Sequence, residues 1–357
     1  MISYAKSEPL LPLEHHLRDV RNAIQVLLTP ARERAFAMLG YSPQQARDLL
    51  LAAALLHDWG KGTDQWQSDL LAGRTTPQHS LTGFLACLWA FNINKIEDMP
   101  LDLLAVALAV LAHHGQLSDG SFVENTFKGQ TVDVRWNEWE TLRNALPMRM
   151  LAGHPRRGPA SLRAAHICSK VDKAKERCLN LPKSTAFRGL YCLILTLLVQ
   201  ADHAASGGYT PSILRVLPPR VNGELTQFQI DSRGHPGQVL CGIAGCGAGK
   251  TAAALLRVAE LAENNKLDRI VFCLPTRFTT NSLLRDMSDP QKYAYPNSHV
   301  GLVHSEALHI LRQRAVNSED DESESSDDPA EVATRSIRYE MPITISTVDH
   351  QIRRAHV

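Results

Sequence analysis

The chain has 357 residues with a net charge of +1, 44% hydrophobic and 21% charged, enough for two or three globular domains with cores of their own. Near-neutral charge excludes a chain that is basic throughout, so any track for nucleic acid has to be local. Seven cysteines without a Cys-x-x-Cys pair argue against a zinc ribbon or a disulfide framework. The N-terminus lacks a signal-peptide pattern, and the longest apolar stretches, 49–56, 103–112 and 190–199, fall short of a bilayer span. The expected location is cytoplasmic, with no membrane partner.

From residue 1 to 208 the chain predicts helices. Ala46–His57, Leu101–His113 and Phe187–His203 are rich in Leu and Ala and poor in β-branched residues, which favours buried helix over strand. Gly60, Gly115 and Gly207-Gly208 follow their ends, where a left-handed residue often stops a helix. A Pro/Gly-rich linker is expected over 209–236. Beyond it, Val239–Ala244, Arg269–Leu274, His299–Val303 and Ile343–Thr347 read as strands, and Lys250–Glu263 and Thr279–Met287 as helices. That alternation predicts a parallel α/β sheet over 237–357. Its acidic run at 317–328, without apolar residues, is expected to be a disordered loop.

Imidazoles and carboxylates cluster beside the most apolar stretches: His16, His57-Asp58, His79-Ser80, His113-His114 and Asp202. A single histidine at a helix end is usually a cap or a surface residue, but an ordered series against apolar helices is costly unless a shared cation satisfies several members at once. Imidazole with carboxylate suits Fe, Mn, Ni or Co as divalent ions. A carboxylate beside a histidine can bridge two such ions and clamp a phosphodiester.

Leu-Leu-His57-Asp58-Trp-Gly60-Lys61, with His16 upstream and His79, His113-His114 and Ala-Asp202 downstream, resembles the HD phosphohydrolase superfamily. The double histidine and the order of the motifs are similar to the HD nuclease domain of the CRISPR-associated nuclease–helicase recruited by Cascade in type I systems. The resemblance implies one metal held by His16, His57, Asp58 and Asp202, and a second held by His79, His113 and His114 with Asp58 shared. It places Lys61 near the scissile phosphate, so Asp58 and Lys61 are the expected catalytic residues. The motif puts its first ligand immediately before Leu-x-x-Val, which selects His16 over His15. His203 is expected to be a bystander.

Ala244-Gly245-Cys-Gly247-Ala-Gly249-Lys250-Thr251 fits the helicase-like variant of the phosphate loop, between a predicted strand and a predicted helix. Lys250 is expected on the β/γ-phosphates of ATP and Thr251 on Mg²⁺. Leu274-Pro-Thr276-Arg277 resembles the second motif of superfamily 2 helicases. Ser346-Thr347-Val348-Asp349 resembles the Thr-x-Asp-Gln motif, with His350 in place of the Gln. The chain reaches Val357 before any Asp-Glu-x-x box, so ATP turnover and helicase activity are not expected of it alone. Basic residues crowd 149–188, and Trp66 is a candidate for stacking on a base.

The fold class expected is therefore a mostly α HD-type domain followed by an incomplete α/β RecA-like domain. The function expected is a metal-dependent DNA nuclease in type I CRISPR interference, preferring single-stranded DNA. Its expected partners are a Cascade-type surveillance complex and a separate chain supplying the rest of the helicase. The alternatives are an HD phosphohydrolase acting on nucleotides and an inactive nucleotide-binding truncation product.

Overall fold

The computed structural model describes residues 4–7, 10–74, 79–115, 131–133, 144–147, 161–181, 185–211, 216–221, 223–237, 239–317, 328–337 and 340–349. The acidic run expected to be disordered lies outside them except at its two ends, as do Arg149, Arg156, Arg157, Lys183 and His350. The chain divides into two compact units, Met1–Leu28 with Glu33–Pro211, and Thr29–Arg32 with Ser212–Val357.

The first unit is helical, as its composition predicts. An antiparallel hairpin, β1 (Tyr4–Ser7) and β2 (Leu10–Pro12), leads directly into α1 (Leu13–Leu27). Then follow α2 (Pro30–Met38), α3 (Pro43–Leu56), a 3₁₀ turn (Trp59–Gly62), α4 (Asp64–Leu71), α5 (His79–Ala90) and α6 (Leu101–Ala112). β3 (Thr131–Asp133) pairs antiparallel with β4 (Ser161–Arg163), ahead of α7 (Ala164–Asn180) and α8 (Thr185–Gly207). Ser42 and Gln45 form a capping box that starts α3, with Pro43 at the first helical position, so two donors otherwise orphaned at the helix start are satisfied. The run Leu104–Ala112 in α6 is buried without a break, the signature of a helix surrounded by others.

α8 packs along α1, α3 and α6, and α5 packs on α6 and on the 3₁₀ turn. Leu17, Leu50, Leu56, Phe84, Leu104, Leu108, Ile194 and Leu198 fill the space between them. α8 corrects one expectation. At Thr185–Gly207 it is long and apolar enough, by length and composition alone, to cross a membrane. Yet Leu190, Ile194, Leu197, Leu198 and Ala201 along it are buried by neighbouring helices, so it reads as a core helix. Gly208 stops it with φ +70°, in the left-handed region.

The second unit holds α9 (Gln227–Arg233), α10 (Lys250–Glu263), β5 (Ile270–Leu274), α11 (Arg277–Ser288), β6 (Val300–Val303), α12 (Ala307–Asn317), α13 (Pro329–Ile337) and β7 (Ile343–Thr347). The three strands are parallel in the order β5-β7-β6. β7 is central and buried along its whole length, with Ile343 and Ile345 packed among Leu255, Leu284, Met287, Val300 and Leu302. The α/β class is as expected, but Val239–Ala244 is not a strand. Val239 and Ile243 are 85% and 92% exposed. β propensity yields a strand only where a neighbour completes the ladder, and none of the described strands does so here.

α5 lies unusually close to the end of α3. A Cβ built on Gly83 would sit 2.8 Å from the His57 carbonyl oxygen and 3.0 Å from that of Leu56, and backbone cannot yield as a flexible side chain can. Gly83→Ala should therefore destabilise the fold by about 1–3 kcal/mol, read from urea unfolding midpoints. An unchanged midpoint would show that the two helices can separate freely.

Candidate metal centre

Five elements of the first unit deliver their polar residues to one place. His16 projects from α1, while His15 beside it is exposed. One residue along a helix turns the side chain about 100°, so only one of the pair can face the core, and it is His16. His57 caps the C-terminus of α3 and Asp58 follows it. His79 opens α5, His113 caps α6 and precedes His114, and Asp202 lies on α8. Gly60 is not the left-handed helix stop expected. It sits within the 3₁₀ turn, where a Cβ would overlap the backbone of His79, and that close approach brings His79 to Asp58.

The two oxygens of Asp58 face different groups. Oδ2 is 3.0 Å from His16 Nε2 and 3.5 Å from His57 Nε2. Oδ1 is 2.9 Å from His79 Nε2 and 3.6 Å from His113 Nε2. Asp202 Oδ1 closes the first group at 3.1 Å from His16 Nε2 and 3.7 Å from His57 Nε2. His114 Nε2 closes the second, 2.7 Å from His79 Nε2. Two sets of potential ligand atoms result, His16/His57/Asp58/Asp202 and Asp58/His79/His113/His114, each within 4.8 Å of one another. All seven residues singled out in the sequence are brought together.

The hydrogen bonding shows that these sets fit a cation. His57 Nδ1 lies 2.8 Å from the Ala54 carbonyl and His113 Nδ1 lies 2.6 Å from that of Val110. A carbonyl only accepts, so both Nδ1 atoms carry the proton, and in the neutral ring each Nε2 then turns a lone pair toward a carboxylate oxygen. Lone pair facing lone pair repels unless a positive charge stands between them. Consistently, His16 Nε2, His57 Nε2, His113 Nε2 and both Asp58 oxygens are buried without a hydrogen bond, despite the short separations. Orientation of a ligating imidazole by a carbonyl on its other nitrogen is the usual support of a metal ligand.

Electrostatics divide the residues. Burial alone would lower the His16 imidazole, but Asp202 and Asp58 outweigh it and raise its pKa to about 9. Burial lowers His79 to about 4, with Asp58 only partly opposing. His114 has one edge in solvent, and burial followed by the neighbouring His113 and His79 takes it to about 3. Burial would raise both carboxylates, yet His57, Lys61 and His79 hold Asp58 well below the usual range, and His16 and His57 do the same for Asp202. Ionised carboxylates beside the neutral His79 and His114 imidazoles suit a divalent metal, and His16 gives up its proton when it ligates.

Lys61 Nζ is 2.5 Å from Asp58 Oδ2 and 5.8 Å from the centre of the Trp66 ring. Trp66 is only 4% exposed and meets the His79 ring at a T-shaped 6.1 Å, so it supports the cluster and is not available to stack on a base. Two of the basic residues between 149 and 188 have structural roles, since Lys170 and Arg177 donate to the carbonyls of Asn94 and Ile96. The Ala54 and Val110 carbonyls and Gln67, whose Nε2 donates to the Lys61 carbonyl at 2.6 Å, went unread in the sequence. A histidine closing an apolar helix was their only signal.

In the second unit the phosphate loop is formed without its strand. Gly247 and Gly249 take φ +81° and +75°, and Gly249 caps α10. Lys250 Nζ donates to the carbonyls of Ala244 and Gly245 at 3.0 and 2.8 Å. Gln229 packs against Gly249, and Tyr293 hydrogen-bonds Thr251. Both escaped the sequence reading, although the Thr226/Gln229 capping box that starts α9 was a usable signal. Thr276 caps α11, Arg277 pairs with Glu306, and Ser346 and Thr347 end β7.

A family profile described as "Cas3, HD domain" matches residues 3–207, which include all seven clustered residues. The chain belongs to the Cas3 HD-domain family. It is 30% identical over 342 residues to a Methanocaldococcus jannaschii protein named as a CRISPR-associated nuclease/helicase Cas3, covering 83% of this chain and 45% of the relative. Two T. fusca Cas3 crystal structures, with ADP and with AMPPNP, share its fold at TM-scores of 0.52 and 0.51 with 19% and 20% identity. The likeness covers 98% and 96% of this chain and 44% and 42% of theirs. The chain thus spans a little under half the length of these Cas3 proteins.

The opposed shifts set a pH optimum for the fold without metal. His16 is raised, so its contribution is complete below the ordinary value of 6.5 and is lost as pH climbs through about 9. His79 and His114 are lowered, so below 6.5 the unfolded chain binds more protons and stability falls toward about 4 and about 3. In chelator, the Tm should peak near pH 6.5 and decline on both sides. A flat profile from pH 4 to 9 would mean the imidazoles are not packed as described.

Proposed function

We propose that the first unit is a metal-dependent DNA nuclease. It would use two divalent transition-metal ions, one held by His16, His57, Asp58 and Asp202 and the other by Asp58, His79, His113 and His114. The observation that supports this best is the division of the Asp58 carboxylate, with one oxygen facing each group. When bound, such a pair supplies electrophilic stabilisation of the phosphodiester and a water nucleophile at neutral pH. The chain's own residues do the rest. Asp58 holds both groups at a fixed spacing. The Ala54 and Val110 carbonyls fix two ring orientations. His79 and His114 stay neutral and ready to ligate, and Lys61 provides a cation for the scissile phosphate. His114 is the exposed member, so the strand would approach from its side.

In this reading residues 1–208 form the nuclease domain, 209–236 the linker and 237–357 the beginning of a RecA-like motor, whose loop at Ala244–Thr251 binds ATP with Mg²⁺. The T. fusca proteins with the same fold were solved with AMPPNP and ADP, which supports a nucleotide here. The partners would be single-stranded DNA and a Cascade-type surveillance complex in type I CRISPR interference in the cytoplasm.

Purified protein with Mn²⁺ or Fe²⁺, offered single-stranded DNA, duplex DNA and nucleoside phosphates, should cut single-stranded DNA fastest. Asp58→Ala should lose both ions and all cleavage, whereas His15→Ala should cut near the wild-type rate. Preference for nucleoside phosphates would redirect the site to small substrates, and full cleavage by Asp58→Ala would place the chemistry elsewhere.

Binding of a fluorescent ATP analogue should be removed by Lys250→Ala without loss of nuclease activity. Equal binding by the variant would dissociate the loop from nucleotide.

A further inference from the structure

Lys61 has a position that phosphate binding alone does not explain. Its ammonium is 2.5 Å from Asp58 Oδ2, with the lysine side chain 11% exposed and the carboxylate fully buried. That oxygen is the one facing His16 and His57. Among the described residues, Lys61 is the only lysine or arginine paired with either Asp58 or Asp202. A buried carboxylate without a counter-charge is costly, and a permanent cation on the same oxygen as an incoming ion repels that ion.

We propose that Lys61 is a resident counter-ion of Asp58, which stabilises the metal-free site and must be released from Oδ2 before the group containing His16 and His57 takes its ion. This rests on the two-metal reading above.

The surroundings allow such a movement by the side chain alone. The 3₁₀ turn carrying Lys61 is held in place, since Gln67 donates to the Lys61 carbonyl at 2.6 Å and the Thr63 hydroxyl donates to that of Gly60 at 3.0 Å. The backbone stays, while the four-carbon stem rotates. The Trp66 ring, 5.8 Å from the ammonium, offers a second resting place for a cation. Release also frees the ammonium near His79, on the side where a phosphate would enter. Loading the metal would thereby arm the phosphate contact, and the exchange penalises an ion that binds too weakly to displace the lysine.

The test is Mn²⁺ titration of the full chain by calorimetry, with lysine acetylation and peptide mass spectrometry as a second readout. Lys61→Met should tighten one of the two Mn²⁺ binding events roughly ten- to a hundredfold, the order of one partly buried ion pair no longer given up on loading. It should also lower the Tm in chelator. Lys61→Arg, which keeps the charge, should bind Mn²⁺ no more tightly than wild type. In the wild-type chain, Mn²⁺ should raise acetylation of Lys61 several-fold relative to the exposed Lys173, a comparison that holds even if Lys61→Met fails to fold. Unchanged or weaker Mn²⁺ binding by a folded Lys61→Met overturns the proposal, as does Lys61 acetylation indifferent to Mn²⁺. A wild-type chain that takes up no Mn²⁺ overturns the two-metal reading itself.

Discussion

The first unit is organised around a carboxylate that has been taken wholly out of water. Asp58 is fully buried, and neither of its oxygens has a hydrogen bond. Burial of that kind costs several kcal/mol unless positive charge compensates. Compensation comes from Lys61 and His16 on one oxygen, while His57, His79 and His113 turn their Nε2 atoms toward the carboxylate from three helix ends. Each of these contacts requires a particular helix to end or begin at one point in space. The packing of α1, α3, α5, α6 and α8 is what meets that requirement.

Apolar packing and ligand geometry are therefore two aspects of one arrangement. The continuous buried run of α6 delivers His113, the Leu/Ala run of α3 delivers His57, and the carbonyl three residues upstream in each helix sets the ring orientation. Gly60 and Gly83 are the points at which backbones come closest, at His79 and at the end of α3. A site on rigid elements with a supporting outer shell is preorganised, and entropy need not be lost again when a ligand arrives. The same helices explain why α8 can be as apolar as a membrane span and still carry Asp202.

The second unit uses backbone where the first uses side chains. Its phosphate loop presents amides and a helix N-terminus, with Lys250 folded back on the loop carbonyls. The central strand β7 ends in Ser346 and Thr347, and β5 runs into the Thr276 cap of α11. The Leu274-Pro-Thr276-Arg277 and Ser346-Thr347 motifs thus stand at the C-terminal ends of parallel strands, the usual location of ligand sites in open α/β sheets.

Much of this was legible in the chain itself. Apolar runs and the alternation of strands and helices after residue 237 depend on neighbours a few positions away. His16, His57-Asp58, His79, His113-His114 and Asp202 point to metal chemistry as an ordered set, not singly. Other features depend on what lies opposite in space. The resemblance separates His16 from His15 by motif, but the physical reason, the packing of α1 that turns His16 inward, lies in the tertiary structure. Gly60 reads as a helix stop and is in fact a point of contact with His79. Trp66 reads as a candidate for stacking on a base and is buried behind the cluster. Val239–Ala244 has the composition of a strand and lacks a partner to make it one. Local order is encoded by spacing along the chain, whereas the sharing of Asp58 between two groups of lone pairs exists only once long-range packing has brought five elements together.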